Sequence, residues 1–454
     1  MSAVLTALLA PLRNRRILIV GFTNLTGRSV ALAFDAAGIR YRISDLKERV
    51  VLEPQLSGLC VSREDVLTGP QLPHQLDGID LVVLSPGVPR SIELIRAARQ
   101  RGIAVVGDVD LAASLVPQAR IIGITGTDGK TTTTTLVGRI LGERAVVGGN
   151  IGVPIFSRLP EVAASPWTVL ELSSYMLEET QHLRPRISTV LNVAPDHMDR
   201  YGSMDDYLRA KLNVARACSR SDVFVLNLDD PAIVARAPHQ MKVMTYSCRS
   251  RRADCHLDAG VFRFSGGTIP LAECRLQAPH LAGNLLAAMA IGVSAGIPSQ
   301  EIVEAVRTFA GLPHRFRHLG TVQGVHVIDD SKATTVHAVR GALRSAGGNA
   351  VLILGGRDKK LDFAELRPEL PRAARVVAYG EAGPRILHQL GGGEYRERFE
   401  DAVALAAARC KDGCTLLLSP GCTSWDQFDN YETRGKVFRE VAFASLGRQS
   451  AGIS

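Results

Sequence analysis

Three observations predict an α/β chain of three domains built on mainly parallel sheets. The chain has 454 residues, more than one hydrophobic core usually supports. It carries 42 glycines against 5% aromatic residues, a balance that suits many strand-to-helix turns. Short β-branched runs recur along it, each feeding a small-residue turn and then a helical pattern.

In the first block Ile17 to Val20 runs into a turn from Gly21 to Gly27, then a helix to about Ala37. Strands follow at Tyr41 to Ser44, ending at Asp45, at Leu81 to Leu84 before the turn SPG (Ser85, Pro86, Gly87), and at Ile103 to Val106. The second block opens with a strand over Arg120 to Thr125, a glycine-rich loop and a helix from Lys130 to about Leu141. Further strands are expected at Thr168 to Leu172, Ser188 to Asn192 and Val223 to Asn227, with Met241 to Ser247 and Val261 to Leu271 as an antiparallel appendage. Helical runs over Leu281 to Ala295 and Ser299 to Phe309 end this block, and the Gly and Pro of GLPHR (Gly311 to Arg315) mark a boundary. The third block repeats the rhythm at Val325 to Ile328, Ala350 to Leu354, Val376 to Tyr379 and Thr415 to Leu418. Domains are therefore expected over residues 1–108, 109–311 and 312–454.

The formal net charge of +8 is scattered, with Arg249, Arg251 and Arg252 the densest group and few aromatics interleaved. This argues against a nucleic-acid surface and suits an anionic small substrate. The eight cysteines form no CxxC pair, the nearest being Cys410 and Cys414, so reduced thiols are expected. The apolar opening from Ala3 to Leu12 has Arg13, Arg15 and Arg16 after it, the reverse of a secretory signal. With no run approaching about 20 apolar residues, a cytoplasmic protein without membrane insertion is expected.

The loop TGTDGKTT (Thr125 to Thr132) joins a strand to a helix, so the backbone N–H groups of Gly126, Thr127, Asp128 and Gly129 can surround a phosphate chain at a helix N-terminus. Lys130 is placed to reach the β- and γ-phosphates, and the Thr131 hydroxyl to ligate Mg²⁺. Gly123 stands one residue too early for strict GxxxxGK, making the loop a shorter variant. Glu171 ends an apolar strand, where α/β sheets collect ligands, and is a candidate for a cation that prefers hard oxygens; a solvated strand-end carboxylate is the alternative. Asp196, His197 and Asp199 follow another strand, and His197 beside two carboxylates is read as a ligand or acid/base group rather than a structural histidine. The first-block turn GFTNLTG with Asp45 does not match GxGxxG, so hydride chemistry is disfavoured while a nucleotide site stays open. Asp329, Asp330, Ser331 and Lys332, then GGRDKK (Gly355 to Lys360), then SPGCTSWDQF (Ser419 to Phe428) follow three strands and argue for one shared site.

In this order, VGFTNLTG, SPG, TGTDGKTT, GNIG, ELSSY, PDHMDRY, YLRAK, GLPHRF, DDSKATT, LGGRDKK and SPGCTSWDQF span nearly the whole chain. Together they resemble the Mur ligase family, and within it the branch that adds D-glutamate. The resemblance implies a Rossmann-like N-terminal domain for a UDP-substrate, a central P-loop-type ATPase domain and a Rossmann-like C-terminal domain for the amino acid. It implies ATP and Mg²⁺ as cofactors, UDP-N-acetylmuramoyl-L-alanine and D-glutamate as substrates, an acyl phosphate intermediate, and a monomer in cytoplasmic peptidoglycan precursor synthesis. A sister ligase adding another amino acid, or a nucleotide-hydrolysing switch, is the alternative.

By the same resemblance, Gly126, Thr127, Asp128, Gly129, Lys130, Thr131 and Thr132 handle the ATP phosphates. Asn284, Arg315 and Asp330 hold adenine, phosphate and ribose, the last two from a C-terminal domain that closes over ATP. Thr131, Glu171, His197 and a carbamylated Lys211 serve the metals, and Lys130, His197, Lys211 and Arg315 carry the catalysis. Leu25, Thr26, Asp45, Ser85, Pro86, Gly87 and Asn150 face the UDP-substrate. Lys332, Thr334, Lys359, Ser424 and Tyr431 receive the amino acid.

Overall fold

The computed structural model describes residues 3–23 and 26–448, and Leu25 lies outside them. Five parallel strands form the first sheet: β1 (Ile17–Val20), β2 (Tyr41–Asp45), β3 (Val66–Thr68), β4 (Leu81–Leu84) and β5 (Ala104–Val106). Their order, β3-β2-β1-β4-β5, reverses between β1 and β4, the position where open α/β sheets form a ligand crevice. Every residue of β1 and β4 is buried, as expected for strands covered on both faces. The helix Gly27–Ala37 turns Val30, Ala31 and Phe34 inward and ends at Gly38 with φ 67°, the left-handed stop that glycine adopts without strain.

Nine strands form the second sheet: β6 (Ile121–Thr125), β7 (Ala145–Gly149), β8 (Trp167–Glu171), β9 (Ile187–Val190), β10 (Val223–Asn227), β11 (Lys242–Ser247), β12 (Cys255–Asp258), β13 (Val261–Phe264) and β14 (Gly267–Pro270). The order is β14-β13-β12-β11-β10-β9-β6-β8-β7. Here the sequence expectation needs correcting. β11 runs parallel to both β10 and β12, so it continues the main sheet, and only β12, β13 and β14 pair antiparallel. The expected strand Val261 to Leu271 splits in two because Gly266, with φ 83°, makes a hairpin turn.

The third sheet contains β15 (Arg317–Val322), β16 (Val325–Asp329), β17 (Ala350–Gly355), β18 (Ala373–Tyr379), β19 (Glu394–Arg396) and β20 (Thr415–Gly421), in the order β15-β16-β20-β17-β18-β19. Only β15 is antiparallel. Packing groups the chain into two compact units. One is Met1–Val193, Tyr201–Pro270 and Asn284–Val306, with the first two sheets; the other is Ala194–Arg200, Leu271–Gly283 and Arg307–Ser454, with the third. All eight cysteines are free thiols. Among the described residues no helix is long and apolar enough to cross a membrane.

Candidate functional site

At the C-terminal ends of β1 and β4, Gly21 has φ 79°, and a Cβ there would lie 2.4 Å from Val88. The Ser85 hydroxyl donates to the Gly21 carbonyl. Asp45, at the end of β2, accepts the Phe22 N–H at 2.6 Å and the Lys47 N–H at 2.8 Å. Oδ2 thus braces the turn after β1, and Oδ1 holds the chain leaving β2. Thr26 precedes the helix Gly27–Ala37, and Pro86, half-buried, and Gly87, exposed, follow Ser85.

In the second sheet, β6 delivers the glycine-rich loop between β8 and β9. Gly126 (φ 154°) and Gly129 (φ 82°) take conformations that side chains rarely adopt. A Cβ on Gly126 would press on Leu191 at 3.0 Å, and one on Gly129 would stand 2.2 Å from Asn284 Oδ1. Asn284 is therefore fitted against the loop. Asn192 clamps it from the far side: its Oδ1 accepts the Asp128 N–H at 2.9 Å and its Nδ2 donates to the Asp128 carbonyl at 3.0 Å. Lys130 Nζ donates to the Gly126 and Thr127 carbonyls at 2.9 and 2.6 Å. Lys211, 1% exposed, donates to the same Gly126 carbonyl at 2.8 Å and lies 4.2 Å from the Tyr207 ring centroid. Two cations thus converge on one carbonyl at a helix N-terminus, an arrangement suited to polyphosphate.

Glu171 ends β8, paired with Ile124 of β6, and is 2% exposed. Asn150 holds it, donating from Nδ2 to Oε1 at 3.0 Å and from its backbone N–H to the Glu171 carbonyl at 2.8 Å. Gly149 makes this approach possible, since a Cβ there would be 2.2 Å from the Glu171 carbonyl. Glu171 Oε2 is buried and has no hydrogen-bond partner among the described residues. A buried carboxylate oxygen in that condition is costly and fits a hard divalent cation. No three His, Cys, Asp or Glu side chains gather as a metal set among the described residues.

In the second unit β16, β20 and β17 are neighbours, which brings together the three polar loops singled out from sequence. Asp330 is buried, accepting the Phe316 N–H at 3.0 Å and the Ser419 hydroxyl at 2.9 Å. Burial raises its pKa from 3.8 to about 7, against the pull of these two donors and the Arg315 charge. Lys332 Nζ lies 3.9 Å from the Tyr431 ring centroid. Lys359 donates to the Thr334 carbonyl at 3.4 Å and pairs with Asp196 at 2.5 Å. Ser424 is buried in the loop after β20.

Six non-glycine residues have positive φ among those described: His197, Ala259, His314, Phe316, Gln323 and Lys360. Ala259 and Gln323 sit at hairpin turns, between β12 and β13 and between β15 and β16. The other four are His197 itself, the two neighbours of Arg315, and the neighbour of Lys359. Such conformations cost of order 1–3 kcal/mol each and concentrate at functional sites. His197 groups with the second unit, where Asp196 Oδ2 lies 3.3 Å from its Nε2, whereas Glu171 and Lys211 belong to the first.

Sequence reasoning did not find Asn192, Tyr207, His314 or Arg434. The His314 Nδ1 to Asp329 contact is 2.6 Å. Arg434 is fully buried and donates to Ser331 Oγ, the Ser331 carbonyl, the Tyr379 hydroxyl and the Cys422 carbonyl. This ties the loop after β16 to the loop after β20. An arginine within a helix ordinarily reads as a solvated side chain, so nothing in its local sequence signals the role.

Three family models match in chain order: the Mur ligase MurD-like N-terminal domain over residues 15–107, the Mur ligase middle domain over 124–292, and the Mur ligase glutamate ligase domain over 314–422. The UDP-N-acetylmuramoylalanine--D-glutamate ligase of Koribacter versatilis is 36% identical over 442 residues, 94% of this chain and 97% of that protein. The enzyme of the same name from Acidobacterium capsulatum is 35% identical over 96% of this chain and 98% of its own length. Among solved structures, MurF from Acinetobacter baumannii aligns with a TM-score of 0.63 at 15% identity, covering 96% of this chain and 98% of that one. The UDP-N-acetylmuramate-alanine ligase MurC from Thermotoga maritima aligns at 0.57 and 18% identity over 97% and 100%; at these identities the structures speak for the fold. With three models in order and relatives matched over almost their full length, the chain belongs to the Mur ligase family.

Proposed function

We propose that this chain is the ligase that joins D-glutamate to UDP-N-acetylmuramoyl-L-alanine, with ATP converted to ADP and phosphate, in the cytoplasmic synthesis of peptidoglycan precursors. The observation that carries the reading is the loop from Gly126 to Thr131, where Lys130 and Lys211 meet one carbonyl, on the strand next to the one that ends in Glu171 with its buried, unpartnered oxygen. The relatives' shared name supports the choice of substrates.

In this reading the first unit performs phosphoryl transfer. The loop N–H groups and Lys130 hold the β- and γ-phosphates, Asn284 borders the nucleotide, and the crevice at Thr26, Ser85 and Gly87 takes the UDP end of the substrate. Glu171 and the Thr131 hydroxyl would hold Mg²⁺, which would supply charge neutralisation for the phosphates, and Lys211, an ammonium on the Gly126 carbonyl in this structure, would become an anionic ligand on carbamylation. The substrate carboxylate attacks the γ-phosphate and becomes an acyl phosphate, so the protein's task is to position the groups and offset charge. The second unit holds the amino acid: the Lys359 ammonium suits a carboxylate of D-glutamate, with Thr334, Ser424, Lys332 and Tyr431 around it. Arg315 and Asp330 serve the phosphate and ribose of ATP. The amine of D-glutamate then attacks the acyl carbon and expels phosphate.

Phosphate release measured with ATP, Mg²⁺ and the UDP-substrate tests the reading. It should require D-glutamate, and the product should gain one glutamyl residue by mass. Release that stays the same without D-glutamate, or that follows another amino acid in preference, would overturn it.

A further inference from the structure

Within the first compact unit, Arg90, Glu178 and Tyr201 join the turn after β4 to the glycine-rich loop, and the ligase reading leaves all three unused. Beyond Gly87 the chain folds back, the Val88 N–H reaching the Ser85 carbonyl at 3.0 Å, and Arg90 follows. Its Nε lies 2.5 Å from Glu179 Oε1 and 3.3 Å from Glu178 Oε2. Arg99, on the helix Glu93–Gln100, donates to the same Glu179 oxygen at 2.5 Å. Both acids stand at the end of the short helix Ser174–Leu177 that follows β8, and their side chains are only 8% and 11% exposed. Two arginines from the first sheet's side thus neutralise two adjacent carboxylates from the second's, where water screens little and each charge depends on its partner.

Glu178 carries the contact onward. Its Oε1 accepts the Tyr201 hydroxyl at 2.5 Å. The Tyr201 ring stacks on Tyr175 with centroids 6.2 Å apart and tilts against Tyr207 at 5.1 Å; Tyr201 and Tyr207 are 7% and 1% exposed. Tyr207 then meets the loop twice. Its ring centroid is 4.2 Å from Lys211 Nζ, and its hydroxyl accepts from the Thr127 hydroxyl at 3.4 Å. Lys211 in turn donates to the Gly126 carbonyl. We propose that Arg90 and Glu178 are positioning residues that couple the UDP-substrate turn to the phosphate loop, so that the UDP-substrate and ATP each tighten the binding of the other. The identity of the two ligands rests on the ligase reading.

The coupling follows from what each contact fixes. A substrate seated at Ser85 to Gly87 immobilises the turn that carries Arg90. Arg90 held there engages Glu178 Oε2 and leaves Oε1 aimed at Tyr201. Tyr201, tied by its hydroxyl and packed between two rings, sets Tyr207, which sets where Lys211 Nζ and the Thr127 side chain stand at the loop. Removal of the Arg90 charge leaves Glu178 and Glu179 repelling each other, and Glu178 then gains by turning to water and releasing Tyr201. Chains of packed and hydrogen-bonded side chains of this kind carry coupling between sites, and the coupling is equal in both directions.

Calorimetric titration of the full-length protein with the β,γ-imido analogue of ATP and Mg²⁺, with and without saturating UDP-N-acetylmuramoyl-L-alanine, tests the proposal. In the wild type the UDP-substrate should tighten analogue binding by about five-fold or more, and the analogue should tighten UDP-substrate binding by the same factor. Arg90→Gln and Glu178→Gln should bring that factor close to one while each ligand alone binds nearly as before, and Arg90→Lys should keep most of it. Tyr201→Phe, which removes one hydroxyl from a packed ring, should also lose the coupling and serves where a charge variant does not fold. Binding of both ligands to the wild type with no coupling, or full coupling in Arg90→Gln or Tyr201→Phe, overturns the proposal and leaves the ligase reading standing. A wild type that binds no UDP-substrate overturns the ligase reading and this inference with it.

Discussion

Replacing Asp330 by Asn isolates the electrostatic cost of the loop after β16. Asp330 is buried, and the rise from 3.8 to about 7 means that ionising it opposes folding. The stability it contributes is complete below the unfolded pKa near 4, falls as pH rises toward about 7, and is constant above. Over the whole window the loss is about 4 kcal/mol, and between pH 5 and 7 about 2 kcal/mol, as orders of magnitude. Asparagine keeps an oxygen for the Phe316 N–H, while its amide nitrogen faces Ser419, whose hydroxyl can rotate to accept. Asp330→Asn therefore removes the titration and keeps the packing. Calorimetric unfolding of both proteins from pH 5 to 8 should show the variant gaining on the wild type by several degrees up to about pH 7, then a plateau. A difference that does not change with pH would refute the reasoning. The variant should also bind ATP more weakly if Asp330 holds the ribose.

Gly129→Ala places a methyl group 2.2 Å from Asn284 Oδ1 at φ 82°; it should lower stability by at least about 1–2 kcal/mol, measured by thermal unfolding, and raise the KM for ATP. Adding Asn284→Ala should recover part of the stability without restoring ATP binding. Glu171→Gln should reduce phosphate release by roughly 100-fold or more while unfolding stays unchanged or moves to higher temperature; an undiminished rate would remove Glu171 from the cation site. Lys211→Met retains the stem but not the amine, so activity should be lost and should not respond to bicarbonate, whereas the wild type should show the mass of a carbamate and respond to bicarbonate. Equal bicarbonate behaviour of the two proteins would exclude the carbamate.

The strands that the sequence made plain are central ones. Ile17–Val20 and Leu81–Leu84 are buried on both faces and read as unbroken apolar runs. Those it hid are chiefly edges. Val66–Thr68 and Glu394–Arg396 have three residues each, and Ala145–Gly149 ends in two glycines because Gly149 must pass against Glu171. Arg317–Val322 lies on an outer edge, where one-sided burial leaves little pattern. In the site, glycines and strand-end charges marked the phosphate loop, Glu171 and the three loops of the third sheet. The partners that hold them were not legible. Asn192 lies 64 residues from Asp128, and Lys359 lies 163 from Asp196, so no local pattern could join them.

That last separation bears on how the chain is made. Asp196 and His197 emerge from the ribosome long before Lys359. At the usual ~5–20 residues per second the interval is roughly 8–30 s. During it the residues from Ala194 to Arg200 wait for a sheet that has not yet been synthesised, even while the strands on either side of them, β9 and β10, can already pair. A nascent chain halted near residue 306 should therefore carry its ATP loop folded and its histidine segment still unclaimed, so the order of translation itself sets which half of the chemistry matures first.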